Sequence, residues 1–288
     1  MKLSIVIPTY NRADLIGRAL ESISVSWKRC APFVGKEIEV IVVDDGNDGT
    51  PGIVQAWKAA HPEILVSYIR PEKRKGVNQA RNIGAKHATG EWIAFLDSDD
   101  EYVETGLGEI FATLASVPFD IRVLGFMTLR ENAEGVMEPR GYDVGGDWKT
   151  FRPSYEDVLL KTNIRGDIHY VCNKDIFVQG LGFPEDVQGF ELSFFARIAK
   201  QGMRFLYINK VVDRRHMGTH EHIGSYAKWP KQYAQGYVAY LHEHENALKK
   251  HPERLAYYYR STGSAYLRAY DPRCLYWYLR YLFVKLFG

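Results

Sequence analysis

The feature that most constrains this chain is the alternation at its start. Apolar runs, "LSIVIP", "EIEVIVVDD", "ILVSYIRP" and "WIAFLD", are separated by segments of helical periodicity. In the first such segment Leu15, Ile16, Ala19, Leu20 and Ile23 share one face. Strands that read as continuous apolar runs are buried on both faces, and β-α alternation predicts a parallel sheet covered by helices. Thr50 as N-cap and Pro51 at the first helical position announce the second helix. The spacing predicts a third helix over 77–87 that stops near Gly90.

Three of these strands run into polar stretches: "PTYNR", "DDG" and "DSDD". In open α/β sheets ligands bind outside the carboxyl ends of the strands, so these residues are expected on one rim. The last stretch poses an electrostatic problem. Asp97, Asp99, Asp100 and Glu101 follow directly on the apolar run from Trp92 to Leu96, and carboxylates are rarely left near a core without a partner. Something positive is expected there. Asp97 and Asp99, one residue apart, can be brought to one site and offer the oxygen ligands that Mg²⁺ or Mn²⁺ prefers. A solvated acidic turn capping the next helix is the alternative. An EF-hand is excluded, because Tyr102 and Gly108 stand where that loop needs Gly and Glu.

Elsewhere on the rim, Asp44 or Asp45 can accept hydrogen bonds from a base or ribose, with Gly46 permitting a tight turn. "IPTYNR" offers Pro8 and Thr9 beside Tyr10, a stacking surface, and Arg12 near a helix N-terminus, where anions are favoured. "RPEKRKGVNQARNIG" brings Arg70, Lys73, Arg74, Lys75, Asn78 and Arg81, with Gly76 opening a helix in a manner suited to a pyrophosphate. It is not a P-loop, and no G-x-G-x-x-G follows the first strand.

After about residue 104 the pattern loosens. It includes a polar loop, "EPRGYDVGGDWKTF", a helix opened by a Ser154–Asp157 capping box, and a helix over about 189–201 ending at Gly202. From His216 the chain turns helical and aromatic. Two domains are expected, 1–218 and a helical extension over 219–288. From Lys228 on, ten Lys/Arg face four acidic residues. With the aromatics of "CLYWYLRYLFVKLF", this resembles an interfacial membrane anchor. A helix docked on the catalytic domain or in a dimer interface is the alternative. The overall net charge of +2 does not argue for nucleic acid. Three scattered cysteines suit a reducing compartment, and neither a signal peptide nor a spanning stretch is found. A cytoplasmic location is expected, peripheral on the cytoplasmic face of a membrane.

Taken in order, "SIVIPTYNR", "VIVVDDG", "ARNIGAKHATGEWIAFLDSDD", "GFPEDVQGFELSFFARIAKQG" and "RRHMG" resemble the family 2 glycosyltransferases of GT-A fold. The resemblance covers about the first 220 residues. It implies a nucleotide-sugar donor, a UDP-sugar above others, and a divalent metal, Mn²⁺ or Mg²⁺, that bridges the donor diphosphate. Carried over, Asp99 is a metal ligand and His216 a further one. Asp97 reaches the ribose or the metal's waters. Asp44 or Asp45 contacts base and ribose, Thr9 and Tyr10 line the nucleotide pocket, and Arg81 serves the phosphates. The family's general base falls at Glu191, where Asp is usual, with Phe190 in place of the preceding Glu; Glu185 and Asp186 are nearby reserves. The acceptor implied is a glycan or lipid-linked glycan of cell-surface polysaccharide synthesis. A sugar-phosphate nucleotidyltransferase would show a Gly-rich loop where "PTYNR" stands. An inactive carbohydrate-binding module is kept open by the Phe190–Glu191 departure.

Overall fold

The computed structural model describes residues 2–34, 37–72, 76–131, 136–142, 150–161, 164–165, 168–185, 187, 191–216 and 230–287. The chain divides into two compact units, Met1–Gly182 with Ile198–Met217, and Phe183–Arg197 with Gly218–Gly288.

The first unit begins with the expected alternation: β1 (Lys2–Thr9), α1 (Ala13–Val34), β2 (Glu37–Asp44), α2 (Thr50–Ala60), β3 (Leu65–Ile69), α3 (Val77–His87) and β4 (Trp92–Phe95). It continues with β5 (Glu101–Tyr102), α4 (Gly106–Ser116), β6 (Ile121–Glu131), β7 (Met137–Tyr142), β8 (Thr150–Phe151), α5 (Tyr155–Leu160), β9 (Ile164–Arg165), β10 (Ile168–Asn173) and α6 (Asp175–Val178). After α7 (Glu191–Lys200), β11 (Arg204–Arg215) returns to the sheet. The main strand order is β3-β2-β1-β4-β10-β6-β11-β5. β1 to β4 are parallel, whereas β10 runs antiparallel to both β4 and β6.

Burial explains the arrangement. Leu3, Ile5 and Ile7 point to one side of β1 and join Ile16, Ala19, Leu20 and Ile23 of α1 in the larger core. Val6, Ile41, Val43 and Ile93 face the other side and meet Ala80 and Ala85 of α3. A strand with apolar residues on both faces has no polar face to show, hence the unbroken runs.

Local readings change in three places. The residue before α2 is Gly49, not Thr50; Thr50 is already helical, and its N–H donates to Asp48 Oδ1 at 3.0 Å. α3 ends at His87 as expected, with Ala88 as its cap, and Gly90 serves another purpose. A Cβ there would come within 2.7 Å of the Lys2 carbonyl and the Ser4 hydroxyl, so glycine lets this turn press against β1. The expected polar loop over 138–151 begins as strand β7, antiparallel to β6 with Thr128 opposite Arg140; residues 143–149 lie outside the described residues. The Ser154–Asp157 capping box is present, and Gly202 follows α7 with φ +81°.

The second unit holds most of α7 and the helices α8 (Pro230–Leu248), α9 (Pro252–Arg268) and α10 (Arg273–Phe287). Aromatic rings fill the seams: Tyr240 lies 4.9 Å from Tyr258 and Tyr259 lies 5.8 Å from Trp277, ring centre to ring centre. No helix among the described residues is long and apolar enough to cross a membrane.

Candidate functional site

The parallel strands end side by side, Thr9 in register with Asp44, and the polar stretches converge there as expected. The turn after β2 is drawn inward. Asp44 is 1 % exposed; its Oδ1 accepts from the Gly46 N–H at 2.8 Å and its Oδ2 from the Tyr68 hydroxyl at 2.7 Å. Burial and the bond to Asp44 push the Tyr68 phenol well above its ordinary range. Asp45 accepts from the Gly76 N–H at 2.5 Å, tying the β2 turn to the start of α3. Gly46 is required by a close approach, since a Cβ would stand 2.4 Å from the Asn11 backbone nitrogen. Asn11, at φ +50°, accepts from Asn47 N–H at 2.8 Å. Arg70 donates to the Gly46 carbonyl at 3.0 Å. Lys73, Arg74 and Lys75 lie outside the described residues. Thr9 is buried, and its hydroxyl has no hydrogen-bond partner among the described residues.

The acidic turn finds its positive partners in the chain's own arginines. Arg81 donates to Asp97 Oδ1 at 2.8 Å, and Arg215 approaches Asp97 at 4.0 Å and Asp100 at 3.8 Å. Arg12 stands 3.7 Å from the Asp99 carboxylate, while Arg18 grips the Asp99 carbonyl at 2.7 Å. Burial opposes ionisation of Asp97, but Arg81 and then Arg215 outweigh it and hold its carboxyl below the usual range. Asp100 shifts the other way. Burial dominates and, with Asp97, Asp213 and Asp99 nearby, overrides the pull of Arg215 and pushes its pKa up to about 8.

Behind this turn, β5 pairs with β11 and places Asp213 opposite Tyr102. Asp213 Oδ2 and His169 Nδ1 are 3.0 Å apart, both side chains 1 % exposed, and His169 Nε2 lies 3.3 Å from the Tyr102 hydroxyl. His216 Nε2 is 2.9 Å from Glu101 Oε1, and its backbone N–H donates to Asp100 at 3.3 Å. The structure thus sets His216 against Glu101 and Asp100.

Of the remaining expected residues, Pro8 and Asn78 are buried, and Tyr10 is half-buried just past β1. Glu191 opens α7 in the second unit, with Phe194 stacked on Phe183 at 4.1 Å one turn later. Phe190 and Asp186 lie outside the described residues. Sequence reasoning missed Arg18, Asp48, Tyr68, His169, Asp213 and Arg215. Only Asp48 had a local signal: an acid two residues before Thr50-Pro51 is a capping pattern.

The metal expectation can be tested against this donor set. Among the described residues no group of three or more His, Cys, Asp or Glu is placed to hold a metal ion. Mg²⁺ commonly takes only one or two carboxylates and completes its shell with water and substrate phosphates. Asp97 and Asp99 suit that habit. Their side chains are 31 % and 23 % exposed, and the described partner of the Asp99 carboxylate, Arg12, is beyond hydrogen-bond length.

The comparisons agree with this geometry. The model of "Glycosyl transferase family 2" matches residues 4–171. The chain belongs to that family. "Uncharacterized glycosyltransferase YwdF" of Bacillus subtilis is 30 % identical over 56 % of this chain and 54 % of its own length. The Campylobacter jejuni "GalNAc(5)-diNAcBac-PP-undecaprenol beta-1,3-glucosyltransferase" is 26 % identical over 73 % of this chain and 62 % of its own. The chain spans about half the length of the first of these relatives. Among solved structures, S. aureus TarS 1-349 in complex with UDP-GlcNAc superposes with a TM-score of 0.68 at 21 % identity, over 92 % of this chain and 73 % of that one. The mannosyltransferase PcManGT from Pyrobaculum calidifontis, in complex with GDP-Man and Mn²⁺, gives 0.61 at 20 % identity over 93 % and 72 %. The fold of this family 2 chain is GT-A.

Proposed function

We propose that this chain is a metal-dependent, inverting glycosyltransferase that moves a sugar from a UDP-sugar to a glycan or lipid-linked acceptor. The observation that carries the reading is the Asp97–Asp99 turn, partly open and ringed by Arg12, Arg81 and Arg215 at the ends of the parallel strands. The nucleotide-sugar complexes of TarS and PcManGT support the donor class. The undecaprenol-linked substrate in the name of the Campylobacter relative supports the acceptor class and a role in cell-surface polysaccharide synthesis.

In this reading residues 1–218 form the donor-binding and catalytic domain. Pro8, Thr9 and Tyr10 line the nucleotide pocket, and Asn78 lies beside it at the start of α3. Asp45 contacts base or ribose. Asp44, already bonded to Gly46 and Tyr68, chiefly shapes the turn. Asp97, held by Arg81, would reach the ribose or the metal's waters. Asp99 would hold the divalent ion, with His216 as a further ligand. Bound there, Mn²⁺ or Mg²⁺ supplies Lewis-acid neutralisation of the departing diphosphate. Arg81 and Arg12 add fixed positive charge in the same place. The acceptor hydroxyl oxygen bonds to the anomeric carbon while its proton passes to Glu191. The bond from that carbon to the phosphate oxygen breaks, releasing nucleoside diphosphate. A single displacement of this kind inverts the anomeric centre. Glu191 has this role by its place six residues before Arg197 in "ARIAKQG".

The test is calorimetric titration of the full chain with UDP in the presence and absence of Mn²⁺. Metal-dependent binding that disappears in Asp99→Asn is the expected result; equal affinity in the variant removes the ligand role.

A further inference from the structure

Helix α10 presents an exposed apolar face. Its buried side, Cys274 and Trp277, packs toward α9, where Trp277 meets Tyr259 and Ser264 bonds Tyr278 at 3.0 Å. On the opposite side Leu275, Leu279, Leu282, Phe283 and Leu286 are all exposed, each by about half or more. At 100° per residue these five fall within one arc, with Tyr276 and Phe287 extending it. Natural surfaces rarely leave so contiguous an apolar stripe uncovered. Cations stand on both margins of the arc, Lys285 on one and Arg273 with Arg280 on the other.

The charge around the stripe selects its partner. Residues 230–287 carry nine Lys/Arg against Glu243, Glu245, Glu253 and Asp271. Three of these acids are already engaged: Glu243 with Arg197, Glu245 with Arg280 and Lys249, and Asp271 with Arg273. Over residues 230–287 that leaves Glu253 as the remaining acid against a surplus of five positive charges. A second copy seated on the stripe would bring the same cations face to face. An anionic lipid surface meets both demands, with acyl chains for the leucines and phosphates for the cations. The 15-residue helix is about 22 Å long, short of the ~30 Å hydrocarbon core, so its fitting orientation is in the plane of the membrane.

We propose that α10 is an in-plane anchor for anionic membranes, with Leu275, Leu279, Leu282, Phe283 and Leu286 in the acyl boundary and Lys285 at headgroup level, while Arg273 and Arg280 on the other margin stay paired with Asp271 and Glu245. The anchor is independent of the transfer chemistry, although a lipid-linked acceptor would give it a use.

The experiment is co-sedimentation of the full chain with vesicles of phosphatidylcholine containing phosphatidylglycerol, and with phosphatidylcholine alone. The intact chain should bind the anionic vesicles, and added salt should weaken that binding. Leu279→Glu/Phe283→Glu should lower partitioning about tenfold or more, with an unchanged thermal unfolding midpoint. The milder pair Leu279→Ser/Phe283→Ser should act in the same direction and serves if the first pair folds poorly. Absence of the intact chain from anionic pellets overturns the proposal, as does equal binding by the variants. A dimer in sedimentation velocity that the substitutions dissolve also overturns it, by assigning the stripe to a second copy. UDP binding by the same variants keeps the anchor and the transfer reading apart, since only the anchor should be affected.

Discussion

Glu39 and Asp97 are both carboxylates set into the parallel half of the sheet, at opposite ends of its strands. Glu39, beside the opening residues of β1, accepts from the Ser4 hydroxyl at 2.5 Å and from the Thr89 N–H at 2.6 Å. It also receives the Thr89 hydroxyl at 2.9 Å, the Gly90 N–H at 3.2 Å and the Lys2 ammonium at 3.0 Å. Its side chain is 4 % exposed. Burial alone would raise its pKa, but the bonds from Ser4, Thr89 and Lys2 together hold it below the usual carboxylate range. Asp97 and its neighbour Asp99 are met by guanidinium groups, several at distances too long for hydrogen bonds, and both keep an open side. A carboxylate whose lone pairs are filled stabilises the fold. One held by charge but left partly uncovered still has capacity for a ligand.

Four substitutions sharpen that contrast. The largest effect is expected from Glu191→Gln, which should lower turnover by about 10²–10⁴-fold while UDP affinity stays near that of the parent, measured by steady-state kinetics and calorimetry. A near-normal rate would move the base elsewhere. Asp99→Asn should cut metal-dependent turnover by about 10²-fold or more, with little change in the urea midpoint, because the open site contributes little to stability. Glu39→Gln should do the reverse. It should lose about 1–3 kcal/mol in urea unfolding at neutral pH, with unaltered UDP binding. The sign with pH follows from its lowered pKa. Its contribution is present above the unfolded value of about 4.3 and is lost as pH falls through the folded value. The parent should therefore shed stability across that acid window, whereas the Gln variant should show a flatter profile. The smallest effect is expected from Asp48→Ala, about 0.5–2 kcal/mol, since Asp48 accepts from the first N–H of α1 at 2.9 Å as well as from Thr50.

Much of the first unit was legible before any coordinates. The four parallel strands and the bounds of α3 follow from periodicity, because burial on both faces writes itself into consecutive residues. The capping box at Ser154 was legible because its partners are three residues apart. The partners of the acidic turn were not. Arg12 and Arg18 are more than eighty residues from Asp99, and Arg215 is farther still from Asp97, so only the folded sheet brings them together. Asp44 and Asp45 look equivalent in "VVDDG". The tyrosine at position 68 breaks the tie by drawing Asp44 inward, and nothing near residue 44 announces it. The polar composition of "EPRGY" suggested a loop; pairing with β6 made it a strand, a case of tertiary context overriding composition.

Helix α1 does more than cover the sheet. Besides Arg18 on the Asp99 carbonyl, its buried Ser22 accepts from the Tyr102 N–H and its Ser26 from the Leu107 N–H, both at 3.0 Å. The stretch from 99 to 107 is thus splinted at three successive turns of one helix. Grafting that stretch into a relative would need the helix positions 18, 22 and 26 to travel with it.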